Sequence, residues 1–276
     1  MASAKSAGDI GIELDAELVR HLRSDRILER FTENIWSEMG RCINCHSPER
    51  NEKQVKEHGE QMSWIVPHDP EATLNYLRES GLIDLSEPDQ SEIRTKPTGL
   101  VDHGGGPKFP IGSLSDKRFV EFLRDYAKIV NDEYSSSEQL PKPSSIRLHA
   151  TENFLRLTDL PTKWADKLMR VDLYGLTDAG WSDHRIATAE SWVNGKQSVW
   201  QGIMSTVSSR DQHPLQELPA GSYLAKVYVD QAERMRADPD ATFAESDFVG
   251  SMEFDGDWKL GWREPKIVDS RQMKDK

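Results

Sequence analysis

The sequence predicts a multidomain α + β chain: an all-α domain over residues 15–135, a linker over residues 136–145 and an all-β sandwich domain over residues 146–276. Three observations carry this. Apolar residues in the first half recur every three to five positions, the spacing of a helix face. Beyond the middle, apolar and polar residues alternate, the spacing of half-buried strands. Between the two lies Ser135-Ser136-Ser137-Glu138-Gln139-Leu140-Pro141-Lys142-Pro143-Ser144-Ser145, a Ser- and Pro-rich run with the composition of a semi-extended linker.

Residues 1–14 are small and polar and are expected to be disordered. From Glu13 to about Gly40, the residues Leu18, Leu22, Ile27, Phe31, Ile35, Trp36 and Met39 share one apolar face, on one helix or on two broken near Asp25. Asp69 and Pro70 make a helix start, with Asp69 as N-cap and Pro70 at the first helical position. That helix carries Leu74 and Leu77 and ends near Gly81. A further helix is expected from about Ser115 to Tyr134, with Phe119, Phe122, Leu123, Tyr126, Ile129 and Val130 on its apolar side.

In the second half, strands are expected at residues 146–150, 167–175, 188–193, 197–203, 221–230 and 248–254. Asn194-Gly195 between two of them is a hairpin signal. Six of the eight Trp lie in this half, which suits the core between two packed sheets.

The motif that carries chemistry is Cys42-Ile43-Asn44-Cys45-His46. It reads C-x-x-C-H, the attachment site of a c-type haem, and holds the only two cysteines of the chain. Thiols three residues apart can add to the two vinyl groups on one edge of a porphyrin. The imidazole that follows can then bind the iron as proximal ligand. Three readings compete. A thioredoxin-like dithiol expects a strand before the motif, and the approach here is helical. A structural zinc site needs four ligands, and no second pair at metal spacing follows. A disulfide would close a very small loop and restrain little.

For the distal position, the loop at residues 96–109 contains His103 followed by Gly104-Gly105-Gly106, glycines that allow a sharp turn or a close approach of backbone to a flat group. His103 is the first candidate. Met62, 16 residues past His46, is the alternative distal ligand. His58 and His68 lie in polar stretches and read as surface residues, and an open sixth position is a further possibility.

The order of a helix leading into C-x-x-C-H, a middle helix, a ligand loop and a last helix resembles a class I cytochrome c over residues 25–135. The C-x-x-C-H with a His-Gly-Gly-Gly loop is similar to the cytochrome c domains of planctomycete bacteria. Class I cytochromes c usually supply a Met from the loop before the last helix, where the planctomycete domains carry His-Gly-Gly-Gly. This chain has His103 there instead, so the resemblance implies His/His ligation and a lower reduction potential than Met/His. It also implies one covalently bound haem c, with Cys42 and Cys45 as thioethers and His46 and His103 on the iron. The run Leu218-Pro219-Ala220-Gly221-Ser222-Tyr223-Leu224 resembles strands of Ig-like or fibronectin-like modules, a likeness of fold alone.

The formal charge is −12; −9 of it falls in residues 1–140, where 17 Lys and Arg stand against 26 Asp and Glu. Such acidity argues against nucleic acid and anionic lipid as partners and suits a redox partner protein with a basic docking patch. No run is apolar and long enough to span a membrane, and the N-terminus has no signal-peptide core. Because haem is attached covalently outside the bacterial cytoplasm, a periplasmic or otherwise exported location is expected, with the signal removed or upstream.

The functional expectation is one-electron transfer, with the β domain for docking or binding. The alternatives are a haem module that binds and senses a small ligand, the redox subunit of an envelope enzyme, and a scaffold in which the motif is incidental. No G-x-S-x-G, H-E-x-x-H or G-K-[ST] appears, and His149, His184 and His213 lack metal spacing, so an electron carrier is favoured over an enzyme.

Overall fold

The structure is a computed structural model that describes residues 26–48, 50–238 and 240–275. The expectations for residues 1–14 and for Leu18 and Leu22 lie outside them. The chain divides into two compact units. One takes the chain up to Trp36, Cys45–Thr95 and Arg118–Pro143; the other takes Ser37–Asn44, Lys96–Lys117 and the chain from Ser144 onward.

The first unit is helical. Its described part opens in helix α1, residues 26–34, where the Thr32 hydroxyl donates back to the Leu28 carbonyl at 2.7 Å. Such a bond competes with the helix ladder, and the chain tightens into a 3-10 turn, Trp36–Arg41, a few residues on. Helix α2 is only Ile43–His46, α3 is Glu52–His58 and α4 is Pro70–Glu79. The start of α4 is as the sequence predicts: Pro70 opens it and the Asp69 carboxylate accepts the Ala72 N–H at 2.9 Å. Helices α5, Glu92–Thr98, and α6, Leu114–Val130, complete the set, α6 ending four residues before the expected Tyr134; the Trp36–Arg41 turn, α2, α5 and α6 are each divided between the two units.

The core of this unit is built on Phe31, Ile35, Ile65, Leu77, Phe119, Phe122 and Leu123, all nearly inaccessible to water. Phe31 meets Phe122 edge to face with centroids 5.7 Å apart. Burial of each large apolar side chain stabilises by about 1.5–3 kcal/mol. One charged network is buried with them. Arg30 pairs with Asp125 at 3.2 Å and with Glu121 at 2.6 Å, and the Tyr134 hydroxyl donates to Asp125 at 2.6 Å.

The second unit is dominated by one sheet. Its strands are β1 Ile146–Thr158, β2 Leu168–Thr177, β3 Gly180–Trp181, β4 Ala187–Asn194, β5 Val199–Ser209, β6 Gly221–Val229, β7 Phe248–Gly256, β8 Lys266–Asp269 and β9 Lys274–Asp275. They pair in the order β8-β1-β5-β4-β2-β6-β7-β9, with β3 beside β2. Among the described strands, only β1 and β8 run parallel. The two end strands, β8 and β9, are neighbours in sequence, joined through the 3-10 turn Ser270–Gln272. The sheet therefore curls until its ends nearly meet, as in a barrel.

The register explains the interior. Val171 sits between Ala189 and Val227, and Leu173 between Ala187 and Ala225. With Trp200, Met204, Leu155 and Leu157 they form a large apolar cluster. The Asn194-Gly195 hairpin forms: Asn194 pairs with Val199, and the Asn194 side chain accepts the N–H of Lys196 at 3.1 Å.

Two expectations of fold are corrected here. The all-β part is not an Ig- or fibronectin-like sandwich: the strands join one curled sheet, whose single interior takes the place of a core between two sheets. Trp164 and Trp200 are buried in it, while Trp262 is 64 % exposed. The all-α class I cytochrome c domain, and with it the planctomycete-type resemblance, is also overturned. C-x-x-C-H sits in a turn and a four-residue helix rather than on a long one, and the helices between His46 and α6 span at most ten residues. The loop with His103 belongs to the sheet unit, not to the helical one.

Candidate functional site

The chain reaches the cysteine motif through the 3-10 turn, where the Cys42 N–H donates to the Met39 carbonyl at 2.8 Å. Both thiols are half-buried. The Gln54 amide lies 4.0 Å from the Cys45 sulfur, a weak contact.

His46 is held on three sides. Its Nδ1 lies 3.1 Å from the Met62 carbonyl oxygen. Its ring is 5.0 Å from that of Trp64, tilted by 40°. Its own carbonyl accepts the Ile65 N–H at 3.0 Å. A carbonyl can only accept, so the proton of the neutral imidazole sits on Nδ1 and the lone pair on Nε2. This is the arrangement that orients a metal-binding histidine and raises its basicity.

The segment that supplies Met62 is itself fixed. Asn51, 1 % exposed, donates its amide to the Ser63 hydroxyl at 3.0 Å. Met62 is thus placed with its carbonyl on the Nδ1 side of His46. Nothing in the sequence announces this, because the acceptor is a backbone atom.

His103 is half-buried in the sheet unit. Its Nδ1 lies 3.0 Å from the Gly106 carbonyl, and the Gly106 N–H donates to the His103 carbonyl at 2.7 Å. The triple glycine makes this turn, with Gly106 at φ +66°, where a side chain is strained. Burial lowers the His103 pKa below the ordinary value, which favours the neutral ring. His58 and His68 are exposed.

Among the described residues, no group of three or more His, Cys, Asp and Glu could hold a metal ion. The expectation of a metal-binding site with the features of a cytochrome c is corrected accordingly: the described residues gather no such ligand cluster, and the zinc alternative fails on the same ground. His149, His184 and His213 do not come together as ligands. Burial lowers the pKa of His149, while His184 and His213 are exposed.

A second constellation escaped the sequence reading. On the outer face of β2, Arg170, Asp172 and Tyr174 follow each other at every second position. They lie opposite Glu190 and Thr188 of β4 and opposite Tyr228 and Lys226 of β6. Asp172, 2 % exposed, accepts the Thr188 hydroxyl at 2.6 Å and an Arg185 N–H at 3.1 Å, and lies 3.2 Å from the Arg170 Nε. The Arg170 guanidinium is stacked 4.3 Å from the Tyr228 ring centroid and 4.8 Å from that of Phe243. The signal that could have found it is charged residues at alternate positions of a strand whose other positions are all apolar.

Comparison of the chain with protein-family models, with curated proteins and with solved structures gave no match in any of the three. Among the described residues, no helix is long and apolar enough to cross a membrane.

Proposed function

We propose that Cys42, Cys45 and His46 take one covalently attached haem and that the chain works as a one-electron carrier outside the cytoplasm. The reading needs no class I cytochrome fold, only two thiols and one oriented imidazole. The observation that carries it is the His46–Met62 contact, which orients the imidazole directly after the two cysteines. The absence of a three-ligand protein cluster is compatible with it, because a porphyrin supplies four nitrogens and asks the protein for one or two axial ligands.

When bound, the haem would supply the redox couple. The chain's own residues would anchor it through two thioether sulfurs, orient the imidazole through the Met62 carbonyl, and cover one side of that imidazole with Trp64. The acidic surface of the chain suits a basic redox partner, whose encounter it would steer.

The test is expression in a host with the haem-maturation machinery, followed by a pyridine haemochrome on denatured protein. A c-type haemochrome, lost when Cys42 and Cys45 are both replaced by Ser, supports the proposal. Protein that matures without covalent haem overturns it. The same preparation tests the second axial ligand: loss of low-spin bands in His103→Ala points to His103, whereas Met62, whose carbonyl lies against the Nδ1 of His46, is held on the proximal side and is set aside as the distal ligand.

A further inference from the structure

Residues 183–186, and the end of β5 with the turn after it at 207–212, line an open cleft of about 770 Å³ together with the outer face of β2. Its walls carry Arg170, Asp172, Tyr174, Asp183, Arg185 and Gln212. A cleft of this size holds a ligand of two or three rings.

The charges of the lining balance, two Arg against two Asp, so nothing in it selects a net-charged ligand. The buried carboxylate of Asp172 is already compensated by Arg170, Arg185 and Thr188. Arg185 spends one N–H of its five on Asp172 and keeps a quarter of its side chain exposed. Arg170 is clamped by stacking, so the floor is rigid. Donors and acceptors beside a tyrosine ring, one face of which carries the Lys226 ammonium 4.6 Å from its centroid, match a ligand with many hydroxyls and an apolar ring face for the other side. Planar guanidinium and carboxylate forks bind adjacent hydroxyls in pairs.

We propose that this cleft binds a neutral sugar, in the form of a short oligosaccharide. Arg185 and Gln212 take ligand hydroxyls, Asp183 accepts from them at the mouth, and Tyr174 packs against a ring. The site is independent of the haem proposal and uses none of its residues.

The test is isothermal titration of the full chain with cellotriose, xylotriose and maltotriose, and separately with trigalacturonate and inorganic phosphate. Binding of at least one neutral trisaccharide is expected, weakened roughly tenfold or more by Arg185→Ala or by Gln212→Ala, each removing hydrogen bonds to ligand. Both positions lie outside the apolar core, and circular dichroism checks that the variants fold. No heat with any neutral trisaccharide overturns the proposal. So does binding confined to the anions, or neutral binding that both variants leave unchanged.

Discussion

The Glu190 carboxyl oxygen accepts the N–H of Leu114, the first residue of α6, at 2.7 Å. An acidic side chain of a neighbouring strand set against the first turn of a helix is well placed for the helix dipole. Yet the surrounding protein pushes the Glu190 pKa above its ordinary value, because desolvation outweighs the Leu114 bond and the nearby arginines. An acid with a raised folded pKa stabilises most when protonated. Its contribution is present below the unfolded value of 4.5 and is lost as pH rises through the folded one. Glu190→Gln keeps an acceptor for Leu114 without the charge. Thermal melts should show the variant gaining on the parent as pH rises from 4 to 8; parallel curves would refute this.

Arg30 should be the costliest charge to strand. Its partner Asp125 is buried and holds Tyr134 as well. Asp125→Ala leaves a guanidinium at low exposure with only the half-exposed Glu121, and should cost about 3 kcal/mol in denaturant melts. Tyr134→Phe removes one hydrogen bond and should cost about 1 kcal/mol. Burial and the bond to Asp125 raise the Tyr134 pKa far above that of a free phenol, so this ring should resist alkaline titration until the protein unfolds.

Asn51 acts on His46 through Ser63 and the Met62 carbonyl. Asn51→Ala should destabilise the protein by about 1–3 kcal/mol, since it leaves buried polar surface unmet. In haem-loaded protein it should also shift the reduction potential, whereas exchange of the exposed Gln61 should not. An unchanged potential in Asn51→Ala would show that Asn51 serves stability alone.

Two glycines should respond differently to alanine. Both Gly106 and Gly112 sit at positive φ, which costs an alanine about 1 kcal/mol. At Gly106 the added carbon meets open space, but at Gly112 it runs into the Met235 carbonyl. Gly112→Ala should therefore lower the melting temperature clearly more than Gly106→Ala.

Much of the local structure was legible. Asp69-Pro70 announced α4, and Asn194-Gly195 announced the β4–β5 turn, because caps and turns are decided by adjacent residues. The partition of strands was not. Alternation along β2 tells that one face is apolar, but not whether strands close on one another or face a second sheet. The short β8 and β9 carry too few residues to show a period. The candidate sites divide the same way. Cys42, Cys45 and His46 stand in the sequence, whereas the Met62 carbonyl and the meeting of Arg170 with Arg185 around Asp172 arise only on folding.

The joining of β8 to β9 has a consequence for how the sheet is made. From Asp269 to Lys274 the chain spans at most about 18 Å at full stretch, so one short connection ties the first edge of the sheet to the last. These strands come last in chain order. During synthesis, β1 and β7 must therefore wait with unpaired edges while the remaining strands emerge, and β1 pairs with β8 across more than a hundred intervening residues. Loop closure over such a distance is slow, and open edges invite pairing with other chains. A chain cut before Lys266 would keep nearly all of its apolar interior and still be expected to self-associate. In this fold the final ten described residues would then act less as ballast for stability than as a clasp over two strand edges.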